Sequence, residues 1–212
     1  MPRNPDTGGP LNKLNGDKGI SAPKNSVPVS ALVKKHNPKS AAELEQLIAD
    51  HVGGGCECGI VSKGTVEDFG RNLYEAQQEY WGEYRFTLDE CIQWEYDLFV
   101  LQMLKGSSME DKCKKTLSKK LGNEYKFKDT SNYVDEELRV DLEVIQLGEL
   151  IAGIQVKPIS FENVRRNVQV YNRAANEKYG EKVLYAKYQY DSEEFKNLDN
   201  VVQEIRNLSE QA

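Results

Sequence analysis

At Glu137 the spacing of apolar residues changes from three and four to two, and no other feature of the chain constrains its fold as much. Leu138, Val140, Leu142 and Val144 alternate with Arg139, Asp141 and Glu143, the signature of a strand with one buried face. After Leu147-Gly148, Ile154 and Val156 alternate with Gln155 and Lys157, and Pro158 ends the run. The two segments predict a hairpin.

Ahead of the switch the spacing is helical. Ser40 is placed to cap a helix carrying Leu44, Leu47 and Ile48, which the Gly53-Gly54-Gly55 run stops. A second helix is expected over residues 66–80, ending near Gly82. Thr87 caps a third, whose wide apolar face of Leu88, Cys91, Ile92, Trp94, Leu98 and Leu101 predicts burial before Gly106. Ser108 opens a lysine-rich amphipathic helix that Gly122-Asn123 terminates. Beyond the hairpin the pattern predicts a helix over residues 161–179 with Val164, Val168 and Tyr171 inward. An aromatic strand over 183–190 follows, then a last helix capped by Ser192. Helices first and then β-β-α-β-α make this an α/β (α+β) chain with a helical N-terminal half. The first residues, rich in Pro, Gly, Asn and Ser, show no periodicity. They predict a basic extended arm over 1–39, ahead of a single domain over 40–212 with a helical part 40–122 and a core 137–212.

A chain of 212 residues that is 39% apolar can close one core of ordinary size. No apolar run approaches the roughly 20 residues of a membrane span, and no leader pattern opens the sequence, so a cytoplasmic protein is expected. The net charge of −6 argues against a nucleic-acid partner, but the charge is segregated. Residues 1–40 carry seven basic and two acidic side chains, and residues 105–128 carry eight lysines against three acids. Of four cysteines, Cys56 and Cys58 flank Glu57 in a glycine-rich stretch, while Cys91 and Cys113 lie far downstream. Neither a C-x2-C repeat nor a matching histidine pair is visible, so a tight loop with incidental thiols is expected rather than a zinc site.

The polar face of the predicted hairpin holds Asp141 and Glu143 on one strand and Gln155 and Lys157 on the other. A carboxylate can hold a divalent cation against a phosphate oxygen, and a lysine can orient water and balance charge at phosphorus. Convergence depends on register. Asp141 meets Gln155 across an odd connection such as Leu147-Gly148-Glu149, with glycine free to take positive φ. A two-residue turn would set Asp141 beside Ile154 unless a bulge restored parity.

The segments Asp135-Glu136-Glu137-Leu138-Arg139-Val140-Asp141-Leu142 and Gly153-Ile154-Gln155-Val156-Lys157-Pro158-Ile159-Ser160-Phe161 resemble the active-site hairpin of PD-(D/E)XK nucleases. More narrowly they resemble type II restriction endonucleases of the MjaI family, whose N-terminal stretch is similar to Ile20-Ser21-Ala22-Pro23-Lys24 and Val27-Pro28-Val29-Ser30-Ala31-Leu32. The resemblance implies a restriction-endonuclease-like mixed sheet flanked by helices and Mg²⁺-dependent cleavage of double-stranded DNA at a short palindrome. CTAG is the site expected for some relatives. It makes Asp141, Gln155 and Lys157 the catalytic set. Gln155 departs from the acidic residue of the motif, a form shared with Mrr-like nucleases, and brings no charge to a cation. Glu143 then joins Asp141 as a metal ligand, or an acid from a helix completes the site: Glu95, Asp97, Glu75 or Glu79.

For DNA contact the basic candidates are Lys13, Lys18, Lys24, Lys34, Lys35, Arg165 and Arg166, which suit phosphate neutralisation. Cutting both strands of a symmetric site implies a homodimer, and a restriction enzyme implies a cognate DNA methyltransferase as functional partner. The alternative, favoured by the Gln155 departure, is a non-catalytic DNA-binding protein on a degenerate nuclease scaffold.

Overall fold

The computed structural model describes residues 5–164 and 166–211. The chain divides into two compact units, one ending at Lys105 and the other beginning at Gly106.

The first unit holds helices α1 (Gly9–Lys18), α2 (Val29–His36), α3 (Ala41–Asp50), α4 (Val66–Trp81) and α5 (Leu88–Tyr96). The first two stand where composition predicts an extended arm. Pro10 sits in the first turn of α1, where a missing N–H costs nothing, and Gly19 closes the helix at φ 63. Leu11 and Leu14 pack with Leu73, Cys91 and Trp94, while Val27, Val29 and Leu32 join Leu44, Ile48, Phe69 and Phe99 in a second cluster. Helices of two or three turns offer too few repeats for periodicity to stand out among Pro and Gly.

The caps predicted at Ser40 and Thr87 form, and Thr65 adds one that the sequence pattern does not single out. Ser40 accepts from the Glu43 N–H, and Thr65 with Asp68 and Thr87 with Glu90 form reciprocal capping boxes. After α5 a π-helical turn, Asp97–Leu101, leads into α6 (Gln102–Leu121), which runs through Gly106 without the predicted break. A helical glycine costs about 1 kcal/mol relative to alanine, which weakens a helix but does not stop one. Gly122, at φ 75, does stop it.

Gly70 lets α4 lie directly on α5. A Cβ there would stand 2.6 Å from the Ile92 Cα and 2.8 Å from its nitrogen, and backbone atoms cannot rotate away. Gly70→Ala is therefore expected to destabilise by about 2 kcal/mol, the overlap outweighing the gain in helix propensity. A lower urea midpoint at unchanged slope is the expected readout, and a raised midpoint would show that the two helices can separate without loss.

The second unit continues from α6 through β1 (Tyr125–Asp129), α7 (Asn132–Leu138), β2 (Leu142–Gln146), β3 (Glu149–Pro158), α8 (Arg166–Glu177), β4 (Val183–Gln189), β5 (Glu194–Phe195) and α9 (Leu198–Ser209). The sheet order is β1-β2-β3-β4-β5, parallel between β3 and β4 and antiparallel elsewhere. One face joins Met109, Cys113 and Leu117 of α6 and Val201, Val202 and Ile205 of α9 in a single core with Leu142, Val144, Ile154, Val156, Leu184 and Ala186. Helix α8 covers the other face. This is the mixed α/β architecture that the sequence predicts. Among the described residues no helix is long and apolar enough to cross a membrane.

Three local readings are corrected. The strand begins at Leu142 rather than Leu138, because residues 132–138 form α7, capped by Ser131 and ended by Arg139 at φ 60. The helix expected over 161–179 is a 3-10 turn, Ile159–Asn163, followed by α8, which turns Asn172 and Asn176 inward and leaves Val168 and Tyr171 exposed. The last helix starts at Leu198, because Ser192 precedes the short strand β5.

Candidate active site

The hairpin turn has two residues, Leu147 and Gly148, both at positive φ, as a tight turn between twisted strands requires. Gln146 pairs with Glu149 and Ile145 with Leu150, but Val144 pairs with Ala152, so Ile151 is the extra residue of a bulge. The bulge restores parity: Glu143 faces Gly153 and Leu142 faces Ile154. Continued one residue past β2, this register sets Asp141 level with Gln155. The Asp141 N–H donates to the Ile154 carbonyl at 2.8 Å, and its Oδ2 accepts from the Val156 N–H at 2.6 Å. The carboxylate is thus fixed one residue from Lys157, and Asp141 is buried.

Gln155 is fully buried on the α8 face and pairs reciprocally with Asn172. Its Nε2 donates to Asn172 Oδ1 at 3.1 Å, and its Oε1 accepts from Asn172 Nδ2 at 2.8 Å. Asn172 also donates to the Tyr185 hydroxyl, which in turn donates to Asn176 Oδ1. Asn176 Nδ2 then donates to the carbonyls of Leu138 and Arg139 at 3.0 and 3.2 Å. The network therefore ends on the backbone just ahead of Asp141. A helix with these partners must present amides rather than valines to the sheet, which explains the rotation of α8.

Two of the other predicted groups, Lys157 and Glu143, share the Gln155 face. Lys157 leaves β3 on the Gln155 face, with its ammonium 5.9 Å from the centre of the Phe161 ring, and it forms no ion pair with Asp141. Lys187 is its register neighbour and pairs with Glu162 beside a cleft of about 440 Å³ lined also by Phe161, Gln169, Arg173 and Tyr185. Glu143 lies on this face too, near the Tyr179 ring that packs over Gly153. Burial first, and the Glu143 charge next, push the Tyr179 hydroxyl well up. The Asp141 charge also reaches the core on the opposite side. Burial raises the Cys113 thiol and the Tyr188 hydroxyl, and the charges of Asp141 and Glu110 raise both further.

Glu110 of α6 is thus an acid whose charge acts on the same two side chains as that of Asp141, and sequence reasoning passed over it. Its signal was present: it adjoins Met109 and precedes Cys113 by three, and both are fully buried. The helix acids singled out instead belong to the first unit. Glu95 accepts from the Ser21 hydroxyl, Asp97 accepts from the Asp6 N–H and Gln93, and Glu79 pairs with Lys18.

The basic candidates are largely engaged. Lys13 pairs with Asp17 and Lys18 with Glu79, and Lys24 and Lys34 also have partners. Lys35 and Arg166 are exposed, and Arg165 lies outside the described residues. In the segment 105–128, Lys114 pairs with Asp129 and Lys120 with Asp199.

No curated protein and no solved structure matches the chain. The sequence model of the MjaI restriction endonuclease family matches residues 10–206, nearly the whole length, including the helices of the first unit and both strands of the hairpin. The mixed sheet between helices accords with that match: the chain belongs to the MjaI restriction endonuclease family, a family of nucleases that act on DNA.

Proposed function

We propose that this chain is a type II restriction endonuclease, hydrolysing phosphodiester bonds of duplex DNA at a short palindrome with Mg²⁺ as cofactor. It acts as a cytoplasmic homodimer beside a methyltransferase that protects the host. The observation that carries this reading is the buried Asp141 carboxylate, held by the Val156 N–H one residue from Lys157. Asp141 offers the carboxylate oxygen, the hard donor that Mg²⁺ takes, and the charge of Glu110 acts on the same two side chains as that of Asp141, so the donor chemistry suits the ion. Glu143 would serve as a further ligand only by leaving the Tyr179 side.

When bound, Mg²⁺ supplies positive charge to a phosphate oxygen. Asp141 holds its orientation through the Val156 N–H, so its oxygen needs no reordering as the substrate arrives. Gln155 is a positioning residue, acting through Asn172 and Asn176 on the segment that delivers Asp141. Lys157 swings from the Phe161 ring round the end of β3 and donates from Nζ to the attacking water or a phosphate oxygen. Lys35 and Arg166, with Lys13, Lys18, Lys24, Lys34 and Arg165, exchange present surroundings for phosphates. A twofold dimer brings one such site to each strand.

Incubating the protein with plasmid carrying CTAG and other palindromes, with Mg²⁺ or with EDTA, tests this reading. Discrete fragments are expected with Mg²⁺ alone. Fragments in EDTA would remove the cation from the account, and none in either tube would favour the second reading, a DNA-binding protein on a nuclease scaffold. One observation supports that alternative: Gln155 commits both polar ends to Asn172.

A further inference from the structure

The chain contains only two histidines, and the fold brings both to two of its four cysteines. His36 is the last residue of α2, and His51 follows the last turn of α3. Cys56 and Cys58 lie in the glycine-rich loop that comes next. One ligand atom from each of the four lies within 4.8 Å of all the others. The His51 Nε2 is 3.1 Å from the Cys58 sulfur, and the rings of His36 and His51 meet edge to face at 5.2 Å. In a tetrahedral zinc site, bonds of about 2.0–2.3 Å place neighbouring donor atoms roughly 3.3–3.8 Å apart, so a small contraction of this cluster closes one.

The surroundings are those of a built site. His51 is buried, and its Nδ1 is 2.6 Å from the Leu47 carbonyl. That contact requires the proton on Nδ1 and leaves the Nε2 lone pair facing Cys58, the second-sphere arrangement that fixes a ligating imidazole. The loop is pinned at its base, where Gly53 donates to the Ser62 carbonyl and Ser62 to that of His51. Gly53, Gly54, Gly55 and Gly59 all take positive φ, so this backbone wraps round the sulfurs in a shape that side chains resist. The loop has little apolar content of its own to hold that shape.

The donor set selects the ion. Two thiolates and two imidazoles suit zinc, and the four converge on one point, which excludes a polynuclear cluster. Mg²⁺ and Ca²⁺ prefer oxygen donors, and none of the four offers one. Two thiolates also neutralise a divalent cation, so the closed site carries no net charge.

We propose that His36, His51, Cys56 and Cys58 bind one Zn²⁺ in a closed, structural site that fastens the 53–59 loop to the ends of α2 and α3. It is separate from the carboxylate site and independent of the reading given above. The sequence pattern does not suggest this set, because His51 stands only five and seven residues before the cysteines while His36, 20 and 22 residues before them, reaches them through the packing of two helices.

Full-length protein purified without chelator should carry about one zinc per chain by mass spectrometry, and the Cys56→Ser/Cys58→Ser variant only background. If that variant does not fold, cobalt decides alone. Added to chelator-stripped wild type, Co²⁺ should give intense visible bands of tetrahedral coordination and a sulfur charge-transfer band, both saturating at about one equivalent. A weak octahedral cobalt spectrum, or full zinc content retained by a folded double variant, would overturn the assignment.

Discussion

Lys157→Ala is expected to remove plasmid cleavage, lowering its rate by about 10²–10⁴-fold, and to leave binding to the same DNA little changed when Ca²⁺ replaces Mg²⁺. The asymmetry follows from where the lysine stands. Its ammonium lies over Phe161 and joins no ion pair among the described residues, so truncation leaves no buried charge behind. What is lost is a proton donor and a positive charge that matter only as negative charge develops on phosphate. Lys157→Arg is expected to restore little of the rate, because a guanidinium does not give up its proton and has a different reach. Unimpaired cutting by Lys157→Ala would remove this mechanism.

The second large effect concerns stability. Glu95 is fully buried in α5, and burial pushes its carboxyl up to about 7, against the opposing hydrogen bond from Ser21. Local chemistry agrees. The single Ser21 hydroxyl proton faces three acceptors, the two Glu95 oxygens at 2.9 and 2.7 Å and Asn15 Oδ1 at 3.1 Å. When Glu95 is protonated it donates to Ser21, whose own proton is then released to Asn15. Because the folded carboxyl binds its proton more tightly than the unfolded one, this contribution is complete below about pH 4.5. It falls as pH rises, and is lost above about pH 7. A shift of this size corresponds to roughly 3 kcal/mol. Glu95→Gln, which cannot titrate, should therefore gain about that much on wild type between pH 4.5 and 8 in urea unfolding. A constant difference across that range would show that Glu95 ionises in the folded protein as it does in the unfolded chain.

The sequence made the hairpin readable because alternation survives at Ile154, Gln155, Val156 and Lys157 whatever the turn does. The turn itself was less legible. Leu147 takes φ 52, which costs a non-glycine residue about 1 kcal/mol, so Gly148 alone in a longer loop looked more favourable. The bulge at Ile151 then produced the parity that the longer loop had been expected to supply. Helix α8 was read with the wrong face inward because apolar spacing does not reveal that its sheet partners are Gln155 and the Tyr185 hydroxyl, which call for amides. Likewise β1 pairs only along the hairpin, and its Tyr-Lys-Phe-Lys alternation lies inside a lysine-rich run that resembles a solvated surface. Glu110 was hidden for a related reason: an acid beside Asp111 in a lysine-rich helix gives no sign that its charge reaches Cys113 and Tyr188 of the core.

Whether the carboxylate at the end of β2 is what holds the cation is tested most directly by Mn²⁺ binding, followed by electron paramagnetic resonance, in wild type and Asp141→Asn. The asparagine keeps an oxygen for the Val156 N–H and so preserves the strand end while removing the charge. Binding at least roughly tenfold weaker in the variant is the predicted result. Equal affinity in the two proteins would contradict it.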